Sequence, residues 1–184
     1  MEIRSIFWRS AAIKREIEGS REALYRMAYA WCRDAALADD LTQTAVEKAL
    51  RGAAQLRDET RLKAWLFRIL ANCLRDHARA RRGHVELESV EDTIADGGPT
   101  PEEARASAEL AQRVRRAVGE LPVGQRQVLT LVDLEGCTYG EVGEILEIPV
   151  GTVMSRLCRA RQALRERLAP VASDLLGTRL RSVK

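Results

Sequence analysis

The sequence predicts an all-α protein made of two small helical domains joined by a flexible acidic linker. Apolar residues recur at helical spacing along most of the chain, and no long alternation of apolar and polar residues marks a strand. A stretch rich in glycine, proline and acidic residues interrupts that pattern near the middle of the 184 residues. Hydrophobic residues make up 46% and charged residues 31% of the chain, which is the balance of a soluble globular protein.

The interrupting stretch, residues 83–101, separates the two predicted domains. It contains two adjacent glycines, two prolines and five acidic residues, with few large apolar groups. Because such a composition does not bury a core, we interpret it as a linker. The predicted domains are therefore residues 1–82 and 102–170, and residues 171–184 belong to a tail that we expect to be frayed from about Ala169.

The N-terminal domain is predicted to contain three helices. An i, i+4, i+7 stripe that ends at Trp31 predicts a helix over about residues 20–32, and a second stripe predicts a helix over about residues 36–53. The third helix has the clearest pattern, with apolar residues at helical spacing for four turns from Leu62 to His77.

The other face of the third helix is basic and polar. It carries Asn72, followed by a run of arginines between Arg75 and Arg82. A side-chain amide on a basic helix can hydrogen-bond a base edge, although an ordinary exposed asparagine is the simpler explanation. The preceding segment, residues 57–63, is a polar loop of the kind that can hold an unstacked base. Its polar composition alone does not establish base binding.

The C-terminal domain begins with a capping signal. Thr100 and Glu103 frame Pro101 as a capping box, which predicts a helix from there to about Gly119. Residues 124–134 are predicted to be a second helix because helix-favouring polar residues flank their apolar run. A short buried strand would show the same apolar run.

A helix-turn-helix is predicted next. A second capping box, Thr138 with Glu141, predicts a short helix to Leu146, followed by a turn with Pro149 and a long basic helix to about Leu168. A short capped helix, a tight turn and a longer basic helix are the parts of this DNA-binding motif. A solvated arginine-rich face would explain the basic charges alone, but the capped helix and turn before them favour DNA binding.

The phasing of the final helix separates a packing face from a reading face, at about 100° per residue. Apolar side chains share one side, and they are Val153, Leu157, Ala160, Leu164 and Leu168. Polar residues lie opposite or on the flanks, and they are Thr152, Met154, Ser155, Arg156, Cys158, Arg159, Arg161, Gln162 and Arg165. Arginine, glutamine, serine and threonine near the start of such a helix reach base edges, and arginines farther along contact phosphates.

Other classes of site find little support. The acidic pair Asp39 and Asp40 near a helix N-terminus favours the macrodipole, and a protein–protein contact is its better functional interpretation. No glycine loop, nucleophile motif or acid pair supports an enzyme. The four cysteines and two histidines lack ligand spacing, so no metal and no cofactor is expected. No apolar run reaches the roughly 18–20 residues of a membrane span, and charges interrupt the N-terminal segment, so we expect a cytoplasmic protein.

Three blocks of the chain resemble bacterial sigma factors. Their DLVQETF-type helix is similar to DDLTQTAVEKAL, and the tryptophan-bearing helix of their promoter-melting domain is similar to RLKAWLFRILANCLRDHARARRG. Their C-terminal DNA-binding domain is similar to the block that ends in IPVGTVMSRLCRARQAL, which is the most specific of the three. On these motifs the chain is identified as a member of the extracytoplasmic-function (ECF) group, whose members have two domains and a linker.

The resemblance implies a role for each block. The clamp helices of the largest polymerase subunit would be bound by a surface that includes Asp39, Asp40, Leu41, Gln43 and Thr44. The polymerase flap is a second expected contact. The promoter −10 element would be read, with capture of a flipped base, by Asp58, Glu59, Thr60, Arg61, Lys63, Asn72, Arg75 and Arg79, with Arg81 and Arg82 near phosphates. The −35 element would be read by Thr152, Met154, Ser155, Arg156, Cys158, Arg159 and Arg161. The acidic linker would follow the RNA exit path, and an anti-sigma protein would hold the chain inactive.

Three residues depart from the family pattern. Thr44 replaces a usual glutamate and Val46 a usual aromatic residue, which suggests altered polymerase affinity or partner choice. Met154 replaces a common lysine or arginine and would suit a thymine methyl group. The flexible linker allows the two domains to rearrange freely, including into a closed form in which they occlude each other. Two alternatives stay open: a stand-alone helix-turn-helix regulator with a palindromic site, and a sigma-like decoy for an anti-sigma protein.

Overall fold

The computed structural model describes residues 12–56, 58–81 and 101–181, apart from the side chains of residues 55, 101–109 and 171–181. Within those ranges every regular element is helical, which confirms the predicted fold class. The predicted linker lies outside the described residues, as do Thr100 of the first capping box and Arg82.

The N-terminal lobe contains α1 (residues 12–19), α2 (Arg21–Cys32), α3 (Ala35–Gly52) and α4 (Leu62–Arg81). Helices α2 and α3 confirm the predicted helices to within a residue or two. Helix α4 begins at Leu62, where the predicted apolar pattern begins, and continues four residues past its end at His77. The connection between α2 and α3 is only two residues long because Arg33 adopts a left-handed conformation with φ of 58°. Asp34 then caps α3 by accepting a hydrogen bond from the Leu37 amide at 2.9 Å.

Helix α1 was not predicted from the apolar pattern. Its Ile13 and Ile17 are buried in the core that α2, α3 and α4 share. This segment has only two large apolar residues, one helical turn apart, among scattered charges. Such a short apolar stripe does not distinguish a helix from a polar loop. Their burial follows from the space that the three longer helices leave.

The C-terminal lobe contains α5 (Pro101–Gly119), α6 (Val123–Leu129), α7 (Tyr139–Leu146) and α8 (Val150–Arg181). Residues 124–134 are helical, as predicted, but the helix widens into a π turn over Thr130–Leu134. The Thr138 hydroxyl accepts the Glu141 amide at 3.3 Å, and the Glu141 carboxylate accepts the Thr138 amide at 2.7 Å. The predicted capping box at the start of α7 is therefore confirmed.

Helix α8 is longer than the sequence suggests. The predicted end near Leu168, with fraying from Ala169, is wrong for the backbone, which stays helical through Pro170 to Arg181. Proline removes one amide donor and crowds the carbonyl four residues earlier. The residues on both sides of Pro170 are mostly good helix formers, and Pro170 itself is exposed to solvent.

The two lobes pack against each other in this structure. Buried apolar residues of both lobes form one continuous cluster, which joins α2 and α4 to α6 and α7. At its centre the Trp31 indole donates a hydrogen bond to the Thr130 hydroxyl at 2.9 Å. This arrangement is a closed form, and it determines which of the candidate surfaces are covered.

Candidate nucleic-acid interface

The start of α8 presents the predicted reading face to solvent. Val153, Leu157 and Ala160 are buried against the other helices of the lobe, as the helical phasing predicts. Met154 is 54% exposed, and the Cys158 and Arg159 side chains are exposed beside it. Since Arg159 has no hydrogen-bond or ion-pair partner among the described side chains, its guanidinium is available to an external ligand.

The remaining predicted residues of α8 are engaged within their lobe. Arg161 forms a bidentate pair with Asp133, with Nη2 to Oδ1 at 2.5 Å, and this pairing raises the pKa of Arg161. A side chain added at Gly124 would lie 2.9 Å from Arg156, so the Arg156 guanidinium covers the start of α6. The Ser155 hydroxyl donates to the Thr152 carbonyl at 3.1 Å. These residues lie beside the reading face and hold it in place.

The turn between α7 and α8 depends on close backbone packing. Gly143 is buried, and a side chain there would lie 3.0 Å from the Ile148 carbonyl oxygen. The Ile148 amide bonds back to the Gly143 carbonyl at 3.0 Å, and Glu147 takes a left-handed conformation with φ of 56°. This tight turn sets the angle at which α8 leaves the lobe.

The predicted −10 residues of α4 form a connected polar cluster. The Arg75 guanidinium bonds Asn72 Oδ1 on one side and Glu147 Oε2 on the other, the latter at 2.8 Å. Glu147 also accepts a hydrogen bond from Arg68 at 3.2 Å. The hydrogen bond from Arg75, more than the one from Arg68, lowers the pKa of Glu147. Arg79 lies exposed one turn farther along α4.

The segment before α4 is not the irregular loop that the sequence suggests. Glu59–Arg61 form a 3₁₀ turn that leads directly into α4, so Lys63 is a helical residue. Asp58 starts this turn by accepting hydrogen bonds from the Thr60 amide at 3.0 Å and the Thr60 hydroxyl at 2.6 Å. Lys63 donates to the Glu135 carbonyl at 2.7 Å, and Arg61 pairs with Glu144.

A cleft of about 660 Å³ adjoins this cluster. Its walls include Trp65, Ile69, Asn72 and Arg75 from α4, and Glu147 lies on the side of the C-terminal lobe. An aromatic ring, an amide and a guanidinium around one opening are the groups that recognise an unstacked base. Further lining residues, Lys48 and Arg51 of α3 among them, add positive charge.

The acidic face of α3 lies away from the contact between the lobes. Asp39, Asp40 and Thr44 are exposed, and Gln43 accepts a hydrogen bond from Arg21 of the same lobe at 2.6 Å. Leu41 is instead buried in the core. Leu41 therefore supports the helix from behind, and the polar residues form the outer surface.

The comparisons identify the family of the chain. The Sigma-70 region 2 model matches residues 17–84, and the Sigma-70, region 4 model matches residues 111–164. The ECF RNA polymerase sigma-E factor of Escherichia coli is 34% identical over 141 residues, which cover 72% of this chain and 74% of that protein. The chain belongs to the ECF group of RNA polymerase sigma factors. As a member of this family, it is a transcription initiation factor and not an enzyme.

Two further comparisons describe the extent of the likeness. The sigma factor is 33% identical over 156 residues to the ECF RNA polymerase sigma factor SigE of Mycolicibacterium smegmatis, covering 83% of this chain but 60% of that relative. In structure it resembles RpoE of Bartonella quintana, solved in complex with the anti-sigma factor NepR. That likeness has a TM-score of 0.69 and 29% identity, and it covers 85% of this chain and 96% of that one.

Within the described residues the sigma factor has neither a candidate membrane span nor a candidate metal site. No described helix is both long and apolar enough to cross a membrane. No group of histidine, cysteine or acidic side chains in those ranges could hold a metal ion. The cysteines are free, and whereas Cys73 is buried as a small apolar residue, Cys158 is exposed on the reading face.

Sequence reasoning missed the acidic residues that face α4. Glu135, Glu144 and Glu147 all pair with cations of the N-terminal lobe of the sigma factor. The spacing of Glu144 and Glu147, three residues apart, places them on one face of a helix end. The sequence shows that spacing. It does not show which cations pair with these carboxylates, because the partners lie about 70 to 80 positions away.

Proposed function

We propose that this sigma factor binds core RNA polymerase and directs initiation at promoters with a −10 and a −35 element. The observation that carries the proposal is the exposed face of α8, with Met154, Cys158 and Arg159 presented by a capped helix and a tight turn. A helix held in this way fits the major groove. There Arg159 can donate two hydrogen bonds to a guanine, and Met154 suits a thymine methyl group.

In this proposal the flanking residues of α8 fix the helix on the −35 element. Thr152 and Arg156 lie toward the DNA backbone, and Arg161 reaches it beside its pair with Asp133. Ser155 contributes a hydroxyl close to the base edges. Contacts to the DNA backbone position the protein, whereas contacts to base edges carry the specificity.

The −10 element is assigned to α4 and the turn before it. The cleft beside Trp65 and Asn72 supports capture of a base flipped out of the duplex. Extracting a base costs a few kcal/mol, which stacking and hydrogen bonds to the base edge offset. Turn residues Asp58, Glu59 and Thr60 border the bound strand, and its phosphates lie near cationic residues, namely Arg61, Lys63, Arg75, Arg79, Arg81 and Arg82.

Polymerase binding is assigned to α3 through Asp39, Asp40, Gln43 and Thr44, with Leu41 supporting them from the core. The clamp helices of the largest subunit are the proposed partner of this face, and the flap is the partner of the C-terminal lobe. Each lobe alone binds DNA weakly, and polymerase fixes the spacing between them, so that the two contacts act as a linked pair.

Regulation by an anti-sigma protein is part of the proposal. Its support is the likeness to RpoE of Bartonella quintana, which was solved with the anti-sigma factor NepR. Because transcription by bacterial RNA polymerase takes place in the cytoplasm, we place the protein there. The domain boundaries of the proposal are those inferred from the sequence, with the linker at residues 83–101.

Run-off transcription on genomic fragments tests the proposed function. With core polymerase and the full chain we expect discrete transcripts, and footprints over both elements that the free chain gives only weakly. A footprint of equal strength from the free chain, over a palindromic site, would identify a stand-alone regulator. Failure to support any transcript while still binding an anti-sigma protein would identify a decoy.

A further inference from the structure

A notch of about 510 Å³ lies beside the reading face, where the start of α7 meets α8. It is lined by Tyr139 of α7 and by Met154 and Cys158, which come from successive turns of α8. Leu157, which is buried, backs the notch from the core of the lobe. A group that enters beside Met154 therefore meets mainly apolar side chains, although α8 is rich in arginine.

Arg161, which also lines the notch, is held by an acidic neighbour. Its Nη2 and Nε donate hydrogen bonds to the Asp133 carboxylate at 2.5 and 3.2 Å. Asp133 and, to a smaller extent, Tyr139 raise the pKa of Arg161. Because a forked guanidinium–carboxylate pair directs two donor groups at the carboxylate, Arg161 does not present them to a base edge beside Met154.

The other polar residues at the notch are placed for different contacts. Gln162 donates its amide N–H to Glu166 Oε1 at 3.1 Å, one turn farther along α8. Arg165 is exposed one turn beyond Arg161, which suits a phosphate. Arg159 lies about 100° around the helix from Cys158, on the polar side of the reading face. The start of α8 thus presents an apolar strip and a polar strip side by side.

The apolar strip has a natural partner in the major groove of DNA. Among the four bases, thymine alone presents an apolar group there, its C5-methyl, whereas the edges of guanine, adenine and cytosine present donors and acceptors. Polar edge atoms placed against Met154 and Cys158 would lose water without gaining a partner, which costs free energy. Burial of a methyl group against the same side chains is favourable.

We infer that Tyr139, Met154 and Cys158 form a methyl-reading notch, which contacts the C5-methyl group of one pyrimidine in the −35 element. This inference rests on the proposed function, because it takes the start of α8 to lie in the major groove. It goes further by committing the chain to a thymine at that position. Since Arg161 and Gln162 are engaged with carboxylates, the notch reads the methyl group and not the oxygen or nitrogen at C4. It therefore accepts 5-methylcytosine and disfavours unmethylated cytosine.

The test uses holoenzyme formed from the full chain and core polymerase. The holoenzyme first selects a −35 sequence from promoter fragments that are randomised over that element. Each thymine of the selected element, on either strand, is then replaced singly by deoxyuridine, which removes the C5-methyl group and nothing else. Competition against the labelled parent promoter measures the affinity of each fragment for the holoenzyme.

We expect deoxyuridine at one position to weaken binding about fourfold, the equivalent of about 0.8 kcal/mol for one buried methyl group. At the same position, 5-methylcytosine paired with guanine should bind about fourfold more tightly than cytosine in the same pair. Deoxyuridine at the other positions should have little effect.

Three variants locate the effect on the protein. Met154→Ala should bring the affinities for thymine and deoxyuridine together, because it removes the side chain that covers the methyl group. Arg159→Ala should weaken binding of both promoters and keep their ratio. Leu110→Ala, which removes an exposed apolar side chain from α5, is the matched control and should change neither the affinity nor the ratio.

Equal affinity for thymine and deoxyuridine at every position would overturn the methyl-reading notch, and so would a preference for thymine that Met154→Ala leaves intact. In both cases the selected −35 element leaves the proposed function standing. If the holoenzyme enriches no −35 sequence, the assignment of α8 to that element fails, and the inference fails with it.

Discussion

Trp31 donates its indole hydrogen bond to Thr130 across the contact between the lobes, although the two residues are 99 positions apart. Both side chains are almost completely buried, with exposed fractions of 1% and 0%. The Thr130 hydroxyl, at the start of the π turn, in turn donates to the Arg126 carbonyl of α6 at 2.9 Å. A buried polar bond of this kind specifies one docking geometry for the lobes, which apolar packing alone leaves open.

A double-mutant cycle tests this anchor. Trp31→Phe and Thr130→Val each remove one partner and keep most of the apolar volume. We expect a coupling free energy of about 0.5–1.5 kcal/mol between them, measured by urea unfolding of the full chain. Thr130→Val also leaves the buried indole N–H without its acceptor and should be costly on its own. Additive effects of the two substitutions would show that the hydrogen bond contributes nothing.

Gly143→Ala should destabilise the C-terminal lobe. The new methyl group would lie 3.0 Å from the Ile148 carbonyl oxygen, which belongs to the backbone and cannot rotate away. We expect a loss of about 1–3 kcal/mol in the free energy of unfolding, because the turn before α8 must shift. Gly140→Ala, in the same helix with open space around it, is the control and should be neutral or stabilising by up to about 1 kcal/mol. Equal effects would contradict the packing role of Gly143.

The capping box predicts a pH dependence. Hydrogen bonds from the Thr138 amide and hydroxyl lower the pKa of Glu141. Its stabilising contribution is therefore present above the usual glutamate pKa of about 4.3, and it is lost as the pH falls through the lower pKa of the folded state. Thr138→Ala should cost about 1 kcal/mol at pH 7 and reduce this loss in acid.

Urea unfolding at pH 7 and pH 3.5, with an NMR titration of Glu141, checks the capping prediction. Thr44→Ala, at an exposed position of α3, serves as the control and should change stability by less than about 0.5 kcal/mol. Because the Thr138 amide remains in Thr138→Ala, only the part of the pKa shift that the hydroxyl causes should disappear. A Glu141 pKa that is the same in Thr138→Ala and in the original chain would refute the contribution of the hydroxyl.

Arg159→Ala should weaken promoter binding by the holoenzyme by about 1–3 kcal/mol and relax selectivity at one position of the −35 element. Its binding to core polymerase should be unchanged, as measured by pull-down. Arg115→Ala, which removes an exposed arginine from α5 of the same lobe, is the matched control. Parallel loss of promoter and polymerase binding would reject the assignment of Arg159 to base reading.

Asp40→Ala should reduce affinity for core polymerase about three- to tenfold, because it removes an exposed charge from the proposed contact face of α3. Glu22→Ala on α2 removes a carboxylate that pairs with Arg26 within the same helix and should have little effect. Fluorescence-monitored titration of labelled chain with core polymerase provides the measurement. A larger effect of Glu22→Ala would place the contact on α2 instead.

Local signals in the sequence determined the helices and the reading face. The Thr138–Glu141 box, the apolar stripe from Val153 to Ala160 and the breaker at Pro149 act within one or two turns, so their outcome hardly depends on distant parts of the chain. For that reason α7 and the start of α8 agree with prediction. Helix α1 lacked a signal of this strength, and the continuation of α8 past Leu168 was not predicted because the apolar stripe of its packing face ends there.

Tertiary structure alone decided how the two lobes meet. Neither the periodicity of α2 nor that of α6 indicates that Trp31 bonds Thr130, since a buried partner 99 positions away leaves no local pattern. The same holds for Glu147, which as a helix-end glutamate is unremarkable until α4 brings Arg68 and Arg75 to it. Local preferences set each helix because they act between neighbours, whereas docking depends on shape and charge that exist only once the helices have formed.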